Sequence, residues 1–213
     1  AAVTVNPGGA SASLSTISAT GPITASSGSS ASTITVTARD ALGNPIPNAT
    51  VLVTVTGTGN TLTMPATTGN PSGVASGTLS STVSEVKSLA VSIGGATINQ
   101  TASVTVNPAA VSPGVSTVAA SSPIIASNGS SASTITVTAK DAFGNPIQGA
   151  TVVVASTGTS NTLTGPASTT NSSGVATATL SSTKAETKTV SATINAGAGA
   201  VAITQTPTVI VGN

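Results

Sequence analysis

The chain has 213 residues, a net charge of +1, no cysteine, no histidine and one aromatic side chain, Phe143. Nine charged residues cannot lay down the basic stripe that nucleic acid or an anionic membrane attracts, and without thiols there is neither disulfide nor thiol chemistry. No apolar run approaches the roughly 18 residues of a membrane-spanning helix, so no membrane insertion is expected within this segment.

Taken from its start, the chain opens on Val3-Thr4-Val5-Asn6-Pro7, a string that returns 101 residues later as 104–108. Two readings follow. Residues 1–8 are the end of a preceding repeat in a longer tandem array, or a free N-terminal strand that donates Val3 and Val5 to another subunit. No basic region followed by an apolar run opens the chain, so any signal peptide is expected to have been removed or to lie upstream. Residues 11–20, with Leu14 and Ile17, read as a first strand, broken at Gly21-Pro22 because proline cannot donate to a ladder. Residues 32–38 alternate Ile34, Val36 and Ala38 with threonines, the period of two of a half-buried strand.

A turn follows, Asp40-Ala41-Leu42-Gly43-Asn44-Pro45. Asp40 can accept bonds from nearby amides, Gly43 and Asn44 tolerate positive φ, and Pro45 sets an extended exit. The next strand is 49–56, with Ala49, Val51, Val53 and Val55 on one face, and a short one surrounds Leu62. After a turn at 69–73, residues 74–80 alternate Ala75, Gly77 and Leu79, small enough to let an opposing sheet approach closely. Lys87, Leu89, Val91 and Ile93 then alternate into Gly94-Gly95, a tight-hairpin signal, and 102–106 closes the unit.

The same order recurs. Between 28–51 and 129–152, 20 of 24 positions carry the same residue, and the turn reappears as Asp141-Ala142-Phe143-Gly144-Asn145-Pro146. The chain is thus two repeats, 9–107 and 108–213, joined by a proline-containing link at 107–114 that reads as semi-rigid. The second repeat is four residues longer at its last hairpin, where an Ala/Gly-rich loop, 196–200, falls. Each repeat holds about seven short strands and no convincing helix, so the expected class is all-β, two tandem immunoglobulin-like β-sandwich domains. Their cores are built from Val, Ile, Leu and Ala, and 73 serines and threonines stand in for the usual charged surface.

The alternating strand at 34–38, the Asp-x-x-Gly-Asn-Pro turn and the Gly-Val-Ala at 73–75 and 174–176 resemble the bacterial immunoglobulin-like repeats of the invasin and intimin adhesin family. The resemblance covers both repeats nearly end to end. It implies tandem sandwiches forming rod-like stalks on cell surfaces, which hold an adhesive tip away from the envelope.

Reactive chemistry is poorly provided. With no histidine the commonest general base and metal ligand is missing. Ser84-x-x-Lys87 and Ser181-x-x-Lys184 have the spacing of a serine–lysine nucleophile, but they are not equivalent between repeats and lack an oxyanion donor. Glu85 with Lys87, and Glu186 with Lys188, read as exposed ion pairs between same-face neighbours on a strand. Calcium takes about six to eight oxygens, usually with several carboxylates, so Asp40 and Asp141 are assigned to turn capping. No enzyme activity and no cofactor are expected. Four sequons, at Asn48, Asn99, Asn128 and Asn171, fall near turns and permit glycans, although 13 asparagines among so many Ser and Thr give about four by chance.

The function expected is a structural, tension-bearing spacer in an extracellular fibre or cell-surface adhesin stalk, with neighbouring copies of the same repeat as partners. The alternative is a self-assembling, pilus-like filament subunit joined by donated β-strands.

Overall fold

The computed structural model describes every residue except Ala2, Thr4, Ala167, Ser168, Ala196 and Ala198. The chain divides into two units, Ala1–Asn107 and Pro108–Asn213. Among the described residues every regular element is a strand, and no helix is long and apolar enough to cross a membrane.

In the first unit the strands are β1 (Thr16–Ala19), β2 (Ile23–Thr24), β3 (Ser32–Thr37), β4 (Val51–Val55), β5 (Asn60–Thr63), β6 (Val74–Ser81), β7 (Val86–Ile93), β8 (Ala96–Thr97) and β9 (Ala102–Asn107). They form two sheets, β1-β3-β6-β5 and β2-β9-β7-β4, with β8 attached to β7. The second unit repeats this with β10 (Thr117–Ala120), β11 (Ile124–Ile125), β12 (Ser133–Thr138), β13 (Thr151–Ser156), β14 (Asn161–Thr164), β15 (Val175–Ser182), β16 (Thr187–Asn195), β17 (Ala200–Ala202) and β18 (Thr208–Gly212). Its sheets are β10-β12-β15-β14 and β11-β18-β16-β13, with β17 on β16. Nine segments per unit exceed the seven expected by two. The first strand splits at its proline so that β1 and β2 join different sheets, and the short β8 counts separately.

The cores sit where the alternation put them. Ile34, Val36, Leu79, Leu89, Ile93 and Val104 are buried in the first unit, and Ile135, Val137, Leu180, Val190, Ile194 and Val209 in the second. No aromatic contributes: Phe143 is 43% exposed. Outward positions carry hydroxyls, Thr33, Thr78 and Thr63 lying across neighbouring strands on one outer face, and Thr134, Thr179 and Thr164 on its counterpart. Gly94 and Gly95 both have positive φ, 57° and 87°, as a tight two-residue hairpin between β7 and β8 requires.

Two expectations change. The first strand begins at Thr16, because Ser11 starts a turn, its carbonyl accepting Ser15 N–H at 3.0 Å, and Leu14 is left 43% exposed. The link is much shorter than 107–114. Ser112 N–H donates to the Lys140 carbonyl at 2.8 Å, and the Pro113 carbonyl accepts the Thr204 hydroxyl at 2.7 Å, so most of it already belongs to the second unit. Of the Ala/Gly-rich loop at 196–200, Ala196 and Ala198 lie outside the described residues.

Candidate functional site

Two polar clusters recur in both units, and they account for eight of the nine charged side chains. The first is the turn after β3 and β12. Asp40 Oδ1 accepts the amides of Leu42 and Asn44, each at 2.9 Å, and Gly43 closes the turn onto the Asp40 carbonyl with φ at 84°. Asp40 Oδ2 accepts the Asn44 side-chain amide at 2.9 Å and the Gly8 amide at 3.1 Å. Pro45 forms a bridge back to Arg39, whose guanidinium donates to the Gly43 carbonyl at 2.7 Å.

The second unit matches it. Asp141 accepts Phe143 and Asn145 amides at 2.9 Å, the Asn145 side chain at 2.8 Å and the Ala109 amide at 2.9 Å, with Gly144 at φ 88° and Pro146 bridging to Lys140. Asn44 and Asn145 therefore serve through their side-chain amides, and neither uses the positive φ that asparagine tolerates. Four N–H donors occupy each carboxylate's acceptor positions, which leaves it no lone pairs to offer a calcium ion. The donors, led by the Asn44 side chain, lower the Asp40 pKa to about 2.

The second cluster corrects the sequence reading. Lys87 and Lys188 were expected in exposed ion pairs, yet both side chains are fully buried. Each points inward from β7 or β16 and emerges beneath the loop that crosses from one sheet to the other. Lys87 Nζ donates to the Thr58 carbonyl at 2.7 Å and pairs with Glu85; Lys188 Nζ donates to the Thr159 carbonyl at 2.6 Å and pairs with Glu186. The lysine thus staples the β4–β5 or β13–β14 crossing to β7 or β16, its stem filling core volume and its head satisfying a loop carbonyl. Gly57 and Gly158 (φ 75° and 80°) make room for it, since a Cβ at either would collide with the glutamate.

The units differ here. Glu186 also receives Lys184 at 3.1 Å, where the first unit has Val83. Its pKa is lowered to about 2, first by Lys188, then by the Thr159 amide and Lys184. The Glu85 carboxyl is lowered mainly by Lys87.

Neither Ser-x-x-Lys pair forms a nucleophile. Lys87 is committed to Glu85 and Thr58, the Ser84 hydroxyl donates to the Val106 carbonyl at 3.0 Å, and Lys184 turns to Glu186. Among the described residues no group of three or more acidic, histidine or cysteine side chains is placed to hold a metal. The four sequon asparagines Asn48, Asn99, Asn128 and Asn171 are all exposed; Asn48 sits at φ 57°, and Asn171 Oδ1 caps the amides of Ser173 and Val175. Val3 and Val5 are each 87% exposed and in no strand, while the matching Val104 and Val106 are buried in β9.

Sequence and fold comparisons agree with this geometry. Residues 11–109 match the family described as Invasin, domain 3, and residues 115–210 match Bacterial Ig-like domain (group 1). The units are therefore bacterial immunoglobulin-like domains. More particularly, the first unit matches a domain family of invasin, and the two together are similar to the invasin/intimin-like repeats.

Among solved structures, InvD of Yersinia pseudotuberculosis is 30% identical with a TM-score of 0.68, the match covering 93% of this chain and 57% of that one. The Escherichia coli adhesin FdeC is 23% identical with a TM-score of 0.60, over 99% of this chain and 68% of that one. Invasin, described as a bacterial integrin-binding protein, is 22% identical with a TM-score of 0.68, over 96% of this chain and 41% of that one. The chain spans just over half of InvD and less than half of invasin. No curated protein matches it.

Proposed function

We propose that the two units are structural repeats of an extracellular fibre or cell-surface adhesin stalk, acting as a spacer and bearing tension. The observation that carries this reading is the parallel pairing of the second and last strands in each unit. Ile23 and Thr24 of β2 pair with Val106 and Asn107 of β9, and Ile124 and Ile125 of β11 with Val211 and Gly212 of β18. In a parallel pair, the leading end of one strand and the trailing end of the other lie at opposite ends of the ladder. Pulling the chain from both sides then loads these bonds together in shear, instead of unzipping them singly. Ala25 N–H to the Asn107 carbonyl and Ala126 N–H to the Gly212 carbonyl, both 2.8 Å, extend each ladder.

Similarity to adhesin repeats supports the extracellular setting, and neighbouring copies of the repeat are the partners this role requires. Glycans at the exposed sequons are compatible with it.

The test is to pull single molecules from the two termini. The expected record shows two separate ruptures, each releasing the contour of one unit, roughly 330–360 Å for about 100 residues. Gradual unravelling without resolved ruptures overturns the reading. The filament alternative draws on the exposure of Val3 and Val5. Deleting residues 1–7 separates the two: a strand-donating subunit stops polymerising, and a stalk segment is unaffected.

A further inference from the structure

The turn carboxylates hold more than their own turns. Asp141 is fully buried, and its Oδ2 accepts the backbone amide of Ala109, 32 residues earlier in the chain. Asp40 does the same for Gly8. Both partners immediately follow the Asn-Pro that ends the repeated Val-Thr-Val-Asn-Pro string.

Since β9 ends at Asn107, Pro108 alone separates the last strand of the first unit from the first pinned amide of the second. Beyond Ala109 the attachments come one residue at a time. Ser112 N–H bonds to the Lys140 carbonyl at 2.8 Å, the Pro113 carbonyl accepts the Thr204 hydroxyl at 2.7 Å and the Thr204 amide at 3.3 Å, and Ser116 exchanges bonds with the Lys140 backbone at 2.9 and 3.0 Å, before continuous pairing begins at Thr117 in β10.

We propose that Asp141, and Asp40 in the first unit, is a latch on the entering chain that opens under tension before the sandwich does, releasing a short reserve of length. The physical reason is the order of loading. Tension arriving through Pro108 reaches the Ala109–Asp141 bond first, then the Ser112–Lys140 and Pro113–Thr204 attachments, one after another. The β10–β12 and β11–β18 ladders behind them take load on several bonds together. Bonds loaded singly yield before bonds loaded in parallel, so residues 109–115 pay out, at most about 25 Å, while the sandwich stays folded. The physiological meaning of the latch rests on the stalk reading, but its existence does not.

Amide hydrogen exchange of the whole chain tests the latch without reference to stalk function. In the wild type the Ala109 amide is expected to be protected at least tenfold relative to an open peptide, and Asp141→Ala is expected to abolish that protection. Because Asp141→Ala also removes the turn's own caps, a second variant separates the roles. Exchanging Asp141→Asn with Asn145→Asp restores the side-chain pair inside the turn but presents an N–H, not an oxygen, to Ala109.

That double variant is expected to lose Ala109 protection while the Leu180 and Val190 amides keep theirs. In pulling experiments it should lose a small extension step ahead of each second-unit rupture without lowering the rupture force. An unprotected wild-type Ala109, unchanged protection in both variants, or a rupture force that falls with the swap each overturns the proposal. If the ruptures themselves are missing while Ala109 still depends on Asp141, the stalk reading fails and the latch stands.

Discussion

The two units share a frame and differ in how they fill it. Met64 and Gly77 in the first are Gly165 and Ala178 in the second, so a large side chain at the end of one strand has been exchanged for a methyl group on the strand beside it. A Cβ added at Gly77 would fall on the Thr63 carbonyl oxygen and the Met64 sulfur. At the crossing loop, Val83 gives way to Lys184, which adds a second cation beside the glutamate. The aspartate turns and the buried lysines are the same in both. Apolar volume can be redistributed as long as the sum fits, whereas a buried polar group works only with its particular partners in place.

Removing the staple should have the largest effect. Lys87→Ala deletes a fully buried stem and leaves the Thr58 carbonyl without its charged donor, an expected cost of about 2–5 kcal/mol. Lys188→Ala should cost less, because Lys184 remains to balance Glu186. Exchange rates at Leu89 and Val190 report the two units separately, and equal losses would break the comparison.

Next comes the exchange at Met64 and Gly77. Gly77→Ala alone is expected to destabilise the first unit by about 1–3 kcal/mol, and adding Met64→Gly should recover part of that, as denaturant unfolding would read.

Acid should separate the units more gently. Asp40 and Glu186 titrate near 2 in the folded chain, against 3.8 and 4.5 for the free groups. The unfolded chain takes up these protons first, so the carboxylates' contribution is complete above about pH 4.5 and is lost as pH falls toward 2. The melting temperature should be flat from about pH 5 to 8, since there is no histidine to titrate, and fall below that range. Glu85, without a Lys184 equivalent, should protonate before Glu186 in a carboxyl-resolved NMR titration.

The smallest change is expected at Asn48, whose φ of 57° is matched by Gly149 at 78° in the second unit. Asn48→Gly should shift stability by less than about 0.5 kcal/mol while removing one sequon.

Much of the sandwich was legible because its strands follow a period of two. Ile34, Val36, Leu89, Val91 and Ile93 fall inward as their spacing requires. The same alternation had already placed Lys87 on the inward side, but its charge argued for the surface. A single sequence does not show the glycine-lined loop and backbone carbonyl that make a buried ammonium tolerable.

The turn was legible in its local bonds, since Asp40 to Leu42 and Asn44 spans two to four residues. Its bond to Gly8 spans 32 and has no local signature. The split of the first strand was visible as Gly21-Pro22, although which sheet each half would join was not.

The threonine rows on the outer faces have a further consequence. Where most soluble domains keep their neighbours at a distance by charge, these faces present hydroxyls that hold water without a net field. Ionic strength has little to screen there, and pH little to titrate. A surface built this way should keep nearly the same colloidal behaviour in dilute and in saline media.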